Sequence, residues 1–389
     1  MNENYLGIYV HIPFCERKCK YCDFISFENK EEFFYDYIKK IMLEVDYCFD
    51  KGNKKSKEID FSFLDKRKVN TIYFGGGTPS IIDSKYIKEL LEKIKEKFVV
   101  LEDAEITLEV NPGTVDREKL EEYRKIGINR LSIGLQSSEN RLLNLIGRIH
   151  NYEKFLETYK LAREIGFNNI NVDLMFALPT QTMDELVQSL IKVVNLNPEH
   201  ISIYSLILEE GTILEKEIQE KKYNLLDEEL ERKMYTKIKR FLSKNKYEHY
   251  EISNFSKKGY RSSHNENCWN QNEYIGFGVA AHSYLNNVRY SNTKNLNEYL
   301  TKSFDETYLI EEKQTKEDKV KEYMILKLRM IEGVKISEFE KKFGINPLLA
   351  FRFEIEKLTK QDLLEVDLDN IKLTEKGLDL ANLVFAEFV

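Results

Sequence analysis

The feature of this sequence that most restricts its fold is a regular alternation between two kinds of segment, which runs from residue 5 to about residue 252. Short runs rich in β-branched and aromatic residues favour strands, whereas longer stretches whose apolar residues recur every three or four positions favour helices. Strands that alternate with helices indicate a parallel sheet with helices on its outside. We therefore expect an α/β fold. The predicted strands are 5–12, 69–75, 104–110, 129–135, 168–176, 200–207 and 247–252, and the predicted helices include 31–47, 83–98, 116–126, 151–165, 182–195 and 227–244.

The number of strand–helix units sets the expected shape of the sheet. About six or seven units are fewer than the eight that a closed (β/α)8 barrel needs, so we predict a partial (β/α)6-type barrel rather than a flat doubly wound sheet. This barrel would occupy residues 1–252, with the charged stretch 49–68 as a surface insertion. Residues 253–304 mix aromatic residues with Asn, Ser and Gly, which predicts a loop region that covers the barrel.

The last part of the chain, residues 305–389, is predicted to form a small winged-helix-like α+β module. Its helical stretches are 316–331, 337–343, 347–360 and 375–387, and a hairpin is expected around 363–373. Winged-helix modules often bind DNA, but this one has no basic recognition helix, and the formal net charge of the chain is −7. We therefore expect no nucleic-acid partner.

The compartment is inferred from the distribution of apolar residues and cysteines. No run approaches the roughly 20 apolar residues of a membrane-spanning helix, and the first residues lack the pattern of a signal peptide. The five cysteines are Cys15, Cys19, Cys22, Cys48 and Cys268. An odd number with three crowded together favours a metal site in a reducing compartment over a disulfide framework. We expect a cytoplasmic protein, not a membrane-spanning one, in which Cys48 is a small buried side chain.

The strongest local signal is the C-x3-C-x2-C spacing of Cys15, Cys19 and Cys22, directly after the first predicted strand. Three thiolates at this spacing suit a [4Fe–4S] cluster, because they hold three irons and leave the fourth iron open to another ligand. The alternative is a zinc site completed by His11 or a distant residue. Zinc is less consistent with the sequence, since its usual pattern of two cysteine pairs is absent.

Polar residues and glycines follow the predicted strands at the points where these end. The glycines at 75–77 allow a ligand to approach the backbone closely, although three glycines at a strand end are, on their own, more often only a turn. Glu109, Gln136 and Asp173 lie near the carboxyl ends of strands, where α/β barrels assemble their sites. Arg148 is a permanent cation that could pair with a carboxylate or be a solvated surface residue.

Taken together, these segments resemble the radical S-adenosylmethionine (SAM) superfamily, and within it the oxygen-independent coproporphyrinogen III oxidase-like branch. The matching segments run in order from residue 5 to about residue 285, and the C-terminal module is similar to that of the same branch. The segments are Tyr9-Val-His-Ile-Pro-Phe-Cys15, Gly75-Gly-Gly-Thr-Pro79, Leu108-Glu-Val-Asn-Pro112, Ser132-Ile-Gly-Leu-Gln136, Asn171-Val-Asp-Leu-Met175 and Leu178-Pro-Thr180.

The resemblance implies cofactors and assigns roles to residues. It implies a [4Fe–4S] cluster on Cys15, Cys19 and Cys22, and a SAM molecule whose amino and carboxylate groups chelate the open iron. The residues that the resemblance assigns to SAM are Tyr9, Gly76, Gly77, Thr78, Glu109, Gln136, Arg148 and Asp173. In such proteins the cofactors carry the radical chemistry, and the protein positions them.

Two functions occur within this branch: coproporphyrinogen III dehydrogenases and chaperones that deliver haem to haemoproteins. The dehydrogenases carry a further cysteine two residues after the third, whereas here Cys22 is followed by Asp23 and Phe24, as in the haem chaperone group. We therefore expect a haem chaperone, with the dehydrogenase as the alternative. The resemblance implies haem as a third cofactor and haemoproteins, such as respiratory ones, as acceptors. It leaves open whether SAM is turned over and whether the chain forms a homodimer.

The segment from His264 to Trp269 resembles the H-N-x-x-Tyr-Trp segment of the chaperone group, except that Cys268 replaces the tyrosine. A histidine beside aromatic rings suits an axial ligand and a stacking wall for haem. Without the resemblance, a loop histidine is more often structural. We assign His264 and Trp269 to haem, leave a Cys268 thiolate ligand as a further hypothesis, and expect His282, within an apolar run, to be packed in the interior.

Overall fold

One large mixed sheet organises most of the chain. The structure is a computed structural model and describes residues 5–50, 55–56 and 59–389. The strands of the sheet are β1 (Tyr5–Ile12), β2 (Lys68–Gly76), β3 (Val99–Val110), β4 (Arg130–Gln136), β5 (Ile170–Phe176), β6 (His200–Ser205), β7 (Glu248–Glu251), β8 (Asn254–Ser256), β9 (Tyr274–Phe277), β10 (His282–Leu285), β11 (Val288–Asn292) and β12 (Tyr308–Lys313).

The order of these strands confirms the predicted parallel sheet. In the described part of the chain the order is β7-β8-β6-β5-β4-β3-β2-β1-β9-β10-β11-β12. Neighbouring strands from β6 through β1 to β9 are parallel. The strands beyond them on both sides pair antiparallel. Because the two ends of this sheet do not pair with each other, the barrel is partial, as the sequence predicts.

Helices cover the outer face of the parallel strands because successive side chains of a strand point to opposite faces. In β1, for example, Leu6, Ile8 and Val10 are fully buried beneath this outer layer, whereas the alternate residues face the interior of the barrel. Helix α1 packs on α2, α2 on α3, and α3 on α5. Within the described residues, every helix is too short or too polar to cross a lipid bilayer. These helices are α1 (Phe34–Phe49), α2 (Ser84–Lys97), α3 (Arg117–Ile126), α4 (Asn140–Leu145), α5 (Tyr152–Ile165), α6 (Met183–Leu196), α7 (Ile213–Gln219), α8 (Glu228–Lys244), α9 (Ser263–Trp269), α10 (Leu296–Thr301) and α11 (Phe304–Thr307).

The segment after residue 252 differs from the expected loops. It contains α9, α10 and four strands of the main sheet, β8 to β11, with β9 parallel to β1. The strand expected at 247–252 is β7, which forms an antiparallel hairpin with β8 rather than joining the parallel set. Glycine is required in β9, since a Cβ on Gly276 would lie 2.2 Å from the carbonyl oxygen of His282. Because β9 and β1 are far apart in the sequence, no local sequence pattern predicts that they pair.

The predicted surface insertion at 49–68 is also more buried than its charge suggests. Its residues 51–54 and 57–58 lie outside the described residues. The described remainder contains a short strand pair, Lys55–Ser56 with Ile59–Asp60, and a 3-10 turn at Leu64–Lys66. Ile59, Phe61 and Leu64 are buried in the main core, so this part of the insertion packs against the barrel.

The C-terminal part has the expected combination of helices and a small sheet. Its sheet has the order β13-β15-β14, with β13 (Val334–Lys335), β14 (Leu364–Val366) and β15 (Asn370–Leu373). The helices are α12 (Lys316–Leu328), α13 (Ile336–Phe343), α14 (Pro347–Ala350), α15 (Arg352–Lys360), α16 (Glu375–Asp379) and α17 (Ala381–Phe385). The division of the chain at residues 252 and 304 stays a prediction.

Burial of the outer strand face should dominate the stability of the barrel. Leu108 in β3 is fully buried, whereas Leu349 in α14 is 78% exposed. We expect Leu108→Ala to lower the free energy of unfolding by about 2–5 kcal/mol, because it removes buried methyl groups and leaves a cavity. Leu349→Ala, the matched control, should change it by less than about 0.5 kcal/mol. Urea unfolding measures both, and equal losses would contradict this assignment of the core.

Candidate cofactor site

The loop that carries the three cysteines follows β1 and lies over the carboxyl ends of the parallel strands. It is fixed at its centre by Lys20, whose N–H donates to the carbonyl of Ile146 and whose carbonyl accepts from Leu214. The side chain of Lys20 also pairs with Glu217 of α7 at 2.8 Å. The loop is therefore fixed from two sides, by the end of α4 and by α7.

The surroundings of the three thiols combine burial with nearby donors. The hydroxyl of Thr78 donates to the Cys15 sulfur at 3.6 Å, and Nη1 of Arg148 donates to the Cys19 sulfur at 3.5 Å. Burial raises the pKa of Cys15 and raises the pKa of Cys22 to about 11. Thiols of this kind stay protonated at neutral pH until a metal displaces the proton, so their binding of iron would release protons.

The cavity beside the thiols fits an iron–sulfur cluster by its donors and its shape. It has a volume of about 160 Å³ and is lined by Cys15, Cys19 and Cys22. A Cβ on Gly77 would lie 3.0 Å from the Cys15 sulfur and 2.8 Å from the carbonyl of Phe14, so this position must be glycine. Among the described residues, no cage of ligands for a single metal ion is present. Three thiols that line one cavity suit an iron–sulfur cluster, whose irons take thiolate ligands.

A carboxylate at the end of β3 is joined to the glycine segment after β2. Gly76 has a positive φ of 115°, and its N–H donates to Glu109 at 3.2 Å. The hydroxyl of Tyr73 donates to the other oxygen of the same carboxylate at 2.9 Å. Burial, together with the nearby Asp173, raises the pKa of Glu109 to about 7. Glu109 is therefore available to pair with a cation that enters the cavity.

Three further residues predicted from the sequence meet in the same cavity. Gln136 accepts a hydrogen bond from Tyr204 at 3.0 Å, across the intervening strand β5. Arg148 donates to the carbonyl of Gly134 at 2.7 Å and to the side chain of Asn111. Its Nε–H has no partner among the described residues. Arg148 is thus a buried cation held beside Cys19, not a solvated surface residue.

Asp173 is oriented by hydrogen bonds that continue into the barrel. It accepts from Ser132 at 3.2 Å and from the amide of Asn171 at 2.7 Å. The amide oxygen of Asn171 accepts from Nδ1 of His200 at 2.6 Å, and Nε2 of His200 accepts from the Tyr250 hydroxyl at 2.8 Å. Burial lowers the pKa of His200, so the ring is neutral. This chain fixes which way Asn171 faces and therefore positions Asp173.

The structure brings together the three cysteines and every residue assigned to SAM except Tyr9, which lies behind the cavity. Tyr9 donates to Nδ1 of His11 at 2.9 Å, and Nε2 of His11 donates to the carbonyl of Ile25 in the cysteine loop. Sequence reasoning did not single out several other residues that line the cavity. These include Tyr21, Asn111, Ser132 and Tyr204. Ser132 and Tyr204 could have been found, because they alternate with apolar residues near the ends of β4 and β6.

The residues assigned to haem lie elsewhere. His264 is buried in α9, where Nδ1 bonds to Thr71 at 3.0 Å, and burial lowers its pKa to about 4. The first N–H groups of α9, those of Ser263 and His264, donate to the carboxylate of Glu105. Glu105 lies on β3 four residues before Glu109, so α9 lies towards the end of the barrel opposite the cysteine cavity. Trp269 stacks against the guanidinium of Arg329 at 4.4 Å. Neither His264 nor Trp269 lines the cysteine cavity.

Two other sequence-based expectations can be compared with the structure. The expectation that His282 is packed in the interior is wrong: the side chain is 54% exposed and pairs with Glu311 at 3.2 Å. An apolar run cannot distinguish a strand with one face open to solvent from a strand that is buried on both faces. Burial raises the pKa of Cys268 to about 11, which keeps it a thiol and does not favour a thiolate ligand.

Comparisons with known proteins agree with this geometry. A family model described as the Radical SAM superfamily matches residues 9–192, and one described as the HemN C-terminal domain matches residues 314–380. The heme chaperone HemW of Lactococcus lactis subsp. lactis is 35% identical over 381 residues, which cover 98% of this chain and 96% of that protein. The heme chaperone HemW of Bacillus subtilis is 33% identical and covers 98% of both chains.

A solved structure supports the fold. The radical SAM enzyme coproporphyrinogen III oxidase (HemN) from Escherichia coli has a TM-score of 0.83 and 24% identity, with 99% of this chain and 90% of that chain covered. The partial barrel, the three-cysteine loop and these matches define a radical SAM protein, a class whose members use a [4Fe–4S] cluster and SAM. Within that class, the chain belongs to the family of the heme chaperone HemW.

The role of each cysteine is open to direct measurement. We expect reconstituted wild-type protein to hold about four irons per chain, and Cys15→Ser, Cys19→Ser and Cys22→Ser each to lose most of this iron. Cys268→Ser and Cys48→Ser should keep it, because neither residue lines the cavity. Iron and sulfide analysis after anaerobic reconstitution tests this prediction. Loss of iron in Cys268→Ser would contradict the assignment of ligands.

Proposed function

We propose that this protein is a haem chaperone, which binds haem and transfers it to haemoproteins while holding a [4Fe–4S] cluster and SAM. The support comes from relatives of the same length named as heme chaperones, whose similarity extends over almost the whole chain. The likeness to HemN supports the fold alone and does not decide between chaperone and enzyme.

The observation that carries the proposal is the residue at position 24. The family resemblance associates coproporphyrinogen III dehydrogenase activity with a further cysteine there, and this chain has Phe24. The side chain is 63% exposed and lines the cluster cavity. A phenylalanine at this place offers no thiol to a substrate or cluster, which favours the chaperone over the dehydrogenase, the second candidate.

The residues of the cavity are suited to hold the two cofactors. When bound, the cluster supplies the electron for reductive chemistry on SAM. Cys15, Cys19 and Cys22 would hold three irons, and Arg148 would stabilise the negative charge of the thiolates. Glu109 and Asp173 would face the positively charged groups of SAM from β3 and β5. Partial burial of these carboxylates reduces their solvation and strengthens their attraction for a cation.

The proposal extends to partners and compartment. Haemoproteins, respiratory ones among them, would be the acceptors, and a homodimer is one form in which the chaperone could act. We place the protein in the cytoplasm, because the three cysteines that would bind the cluster stay reduced in a reducing compartment. Haem contacts at His264 and Trp269 would require α9 to move, since both residues are packed between the barrel and its neighbours.

Two assays on one preparation of the protein distinguish the chaperone function from the dehydrogenase function. Anaerobic cluster-loaded protein is incubated with SAM, a reductant and coproporphyrinogen III, and a second portion is titrated with haem. We expect binding of about one haem per chain, as the family resemblance implies, and no protoporphyrinogen. Cys15→Ser controls for cluster-dependent turnover. Steady formation of protoporphyrinogen by wild type and not by Cys15→Ser would establish the enzyme instead.

The pKa of Glu109 predicts how SAM binding depends on pH. Because this pKa is raised to about 7, the carboxyl is half protonated near pH 7, whereas the cationic SAM binds its ionised form. Binding should release a proton, and the affinity should fall by about tenfold per pH unit below pH 7. Titration calorimetry in two buffers measures both effects. Glu109→Gln should abolish the pH dependence, Glu102→Gln on the exposed part of β3 should retain it, and a flat wild-type profile would contradict the prediction.

A further inference from the structure

A second cleft lies beside the cofactor cavity, between the last parallel strand and the C-terminal part of the chain. It has a volume of about 520 Å³, which is within the range of roughly 300–1,000 Å³ typical of small-molecule sites. Its walls are the end of β6, the beginning of α8, and the helices α16 and α17. Tyr204 lines both this cleft and the cluster cavity, so the two spaces are adjacent.

The walls of the cleft are mostly apolar and partly open to solvent. Phe176 and Phe385 are buried within it, and Phe176 stacks on Tyr235 with the two rings 9° from parallel. Ile207 and Leu383 also line the cleft, although they are 67% and 61% exposed. Large apolar side chains at the mouth of a cleft, with aromatic rings inside it, are suited to a flat apolar ligand.

Positive charge is concentrated at one side of this cleft. Arg232 lines it and also lines a neighbouring groove formed with Lys233, Lys237, Arg240 and Lys244 of α8. A second arginine in the cleft, Arg329, is paired with the buried Glu251 at 2.8 Å, although its Nε–H has no hydrogen-bond partner in the described chain.

The cleft itself is lined by three carboxylates and two arginines, so the excess of positive charge lies in the neighbouring groove on α8, where the basic residues outnumber Asp184 and Glu229. The carboxylate of Glu231 accepts a hydrogen bond from the Ser205 hydroxyl, and the carboxylate of Glu228 forms an ion pair with Arg232 at 3.4 Å. Burial raises the pKa of the third, Asp379. The basic groove on α8 therefore gives the cleft an edge that attracts anionic groups.

We propose that this cleft binds a planar tetrapyrrole, with the macrocycle between Ile207, Leu383 and Phe385 and its carboxylate side chains towards Arg232. This inference rests on the proposed haem chaperone function and names the site of the haem. It places the ligand next to the SAM cavity through Tyr204, whereas His264 is enclosed at the other end of the barrel. Haem and coproporphyrin share the required chemistry, and the test distinguishes them.

Two charge insertions test the apolar walls. Ile207→Glu and Leu383→Glu place a carboxylate against the macrocycle at exposed positions, so folding should be preserved. We expect each to raise the dissociation constant for haem by about tenfold or more, because an apolar contact is replaced by an unpaired charge. Leu349→Glu, which is equally exposed but lies outside the cleft, should leave it unchanged. SAM affinity should be unchanged in all three, since none of these residues lines the SAM cavity.

The role of Arg232 is tested by comparing haem with an ester of haem that lacks the two negative charges of the carboxylates. Arg232→Gln should weaken binding of haem and leave binding of its dimethyl ester unchanged, because only free carboxylates pair with the guanidinium. Coproporphyrin III, with more carboxylates, should bind more weakly than haem to a cleft that is mainly apolar, and tighter binding of coproporphyrin would overturn the assignment to haem.

The results of these haem titrations test the chaperone function and the location of the haem site separately. Wild-type protein that does not bind haem would overturn the chaperone proposal and the cleft with it. Wild-type binding that is equally strong in Ile207→Glu, Leu383→Glu and Arg232→Gln would overturn only the cleft. If binding is then lost in His264→Gln, the haem lies at α9. Loss confined to the three cleft variants would establish the cleft.

Discussion

The burial of two carboxylates inside the barrel is the constraint on which the rest of the site depends. Glu109 on β3 and Asp173 on β5 lie on the inner face of the parallel sheet, with β4 between them, where an unpaired charge is costly. Their donors come from other strands: Tyr73 on β2, Ser132 on β4 and, through Asn171, His200 on β6. A shift of one residue in any of these strands would turn the donor to the outer face. The carboxylates of the cavity therefore keep their hydrogen-bond donors only in this register of the sheet.

The same requirement explains why much of the site could be predicted from the sequence. All parallel strands end at one edge of a sheet, so polar residues at the ends of β3, β4 and β5 had to meet there, and Glu109, Gln136 and Asp173 do. The cysteine spacing indicated the cluster loop in the same way. The helices and strands up to residue 244 follow local periodicity, which tertiary packing reinforces.

What could not be predicted depends on contacts between distant parts of the chain. The pairing of β9 with β1 and the burial of Ile59, Phe61 and Leu64 have no local signal. His264 illustrates the limit most clearly: its aromatic neighbours in sequence suggest an open ligand site, but Glu105 fixes the start of α9 and directs the ring towards Thr71. Arg130 is another example, a buried residue whose Nε–H has no partner in the described chain and whose charge lowers the pKa of Glu109 and Asp173.

The fold alone does not separate a haem chaperone from an enzyme that acts on coproporphyrinogen. A TM-score of 0.83 with HemN means that the two chains share one overall fold, so a difference in function has to be sought in individual side chains. In this chain those side chains include Phe24 at the cluster and the apolar cleft beyond Tyr204. A chaperone has to release its ligand, and a cleft with exposed Ile207 and Leu383 at its mouth leaves one side of a bound ligand accessible to an acceptor. An enclosed site at His264 would have to open the barrel for every transfer.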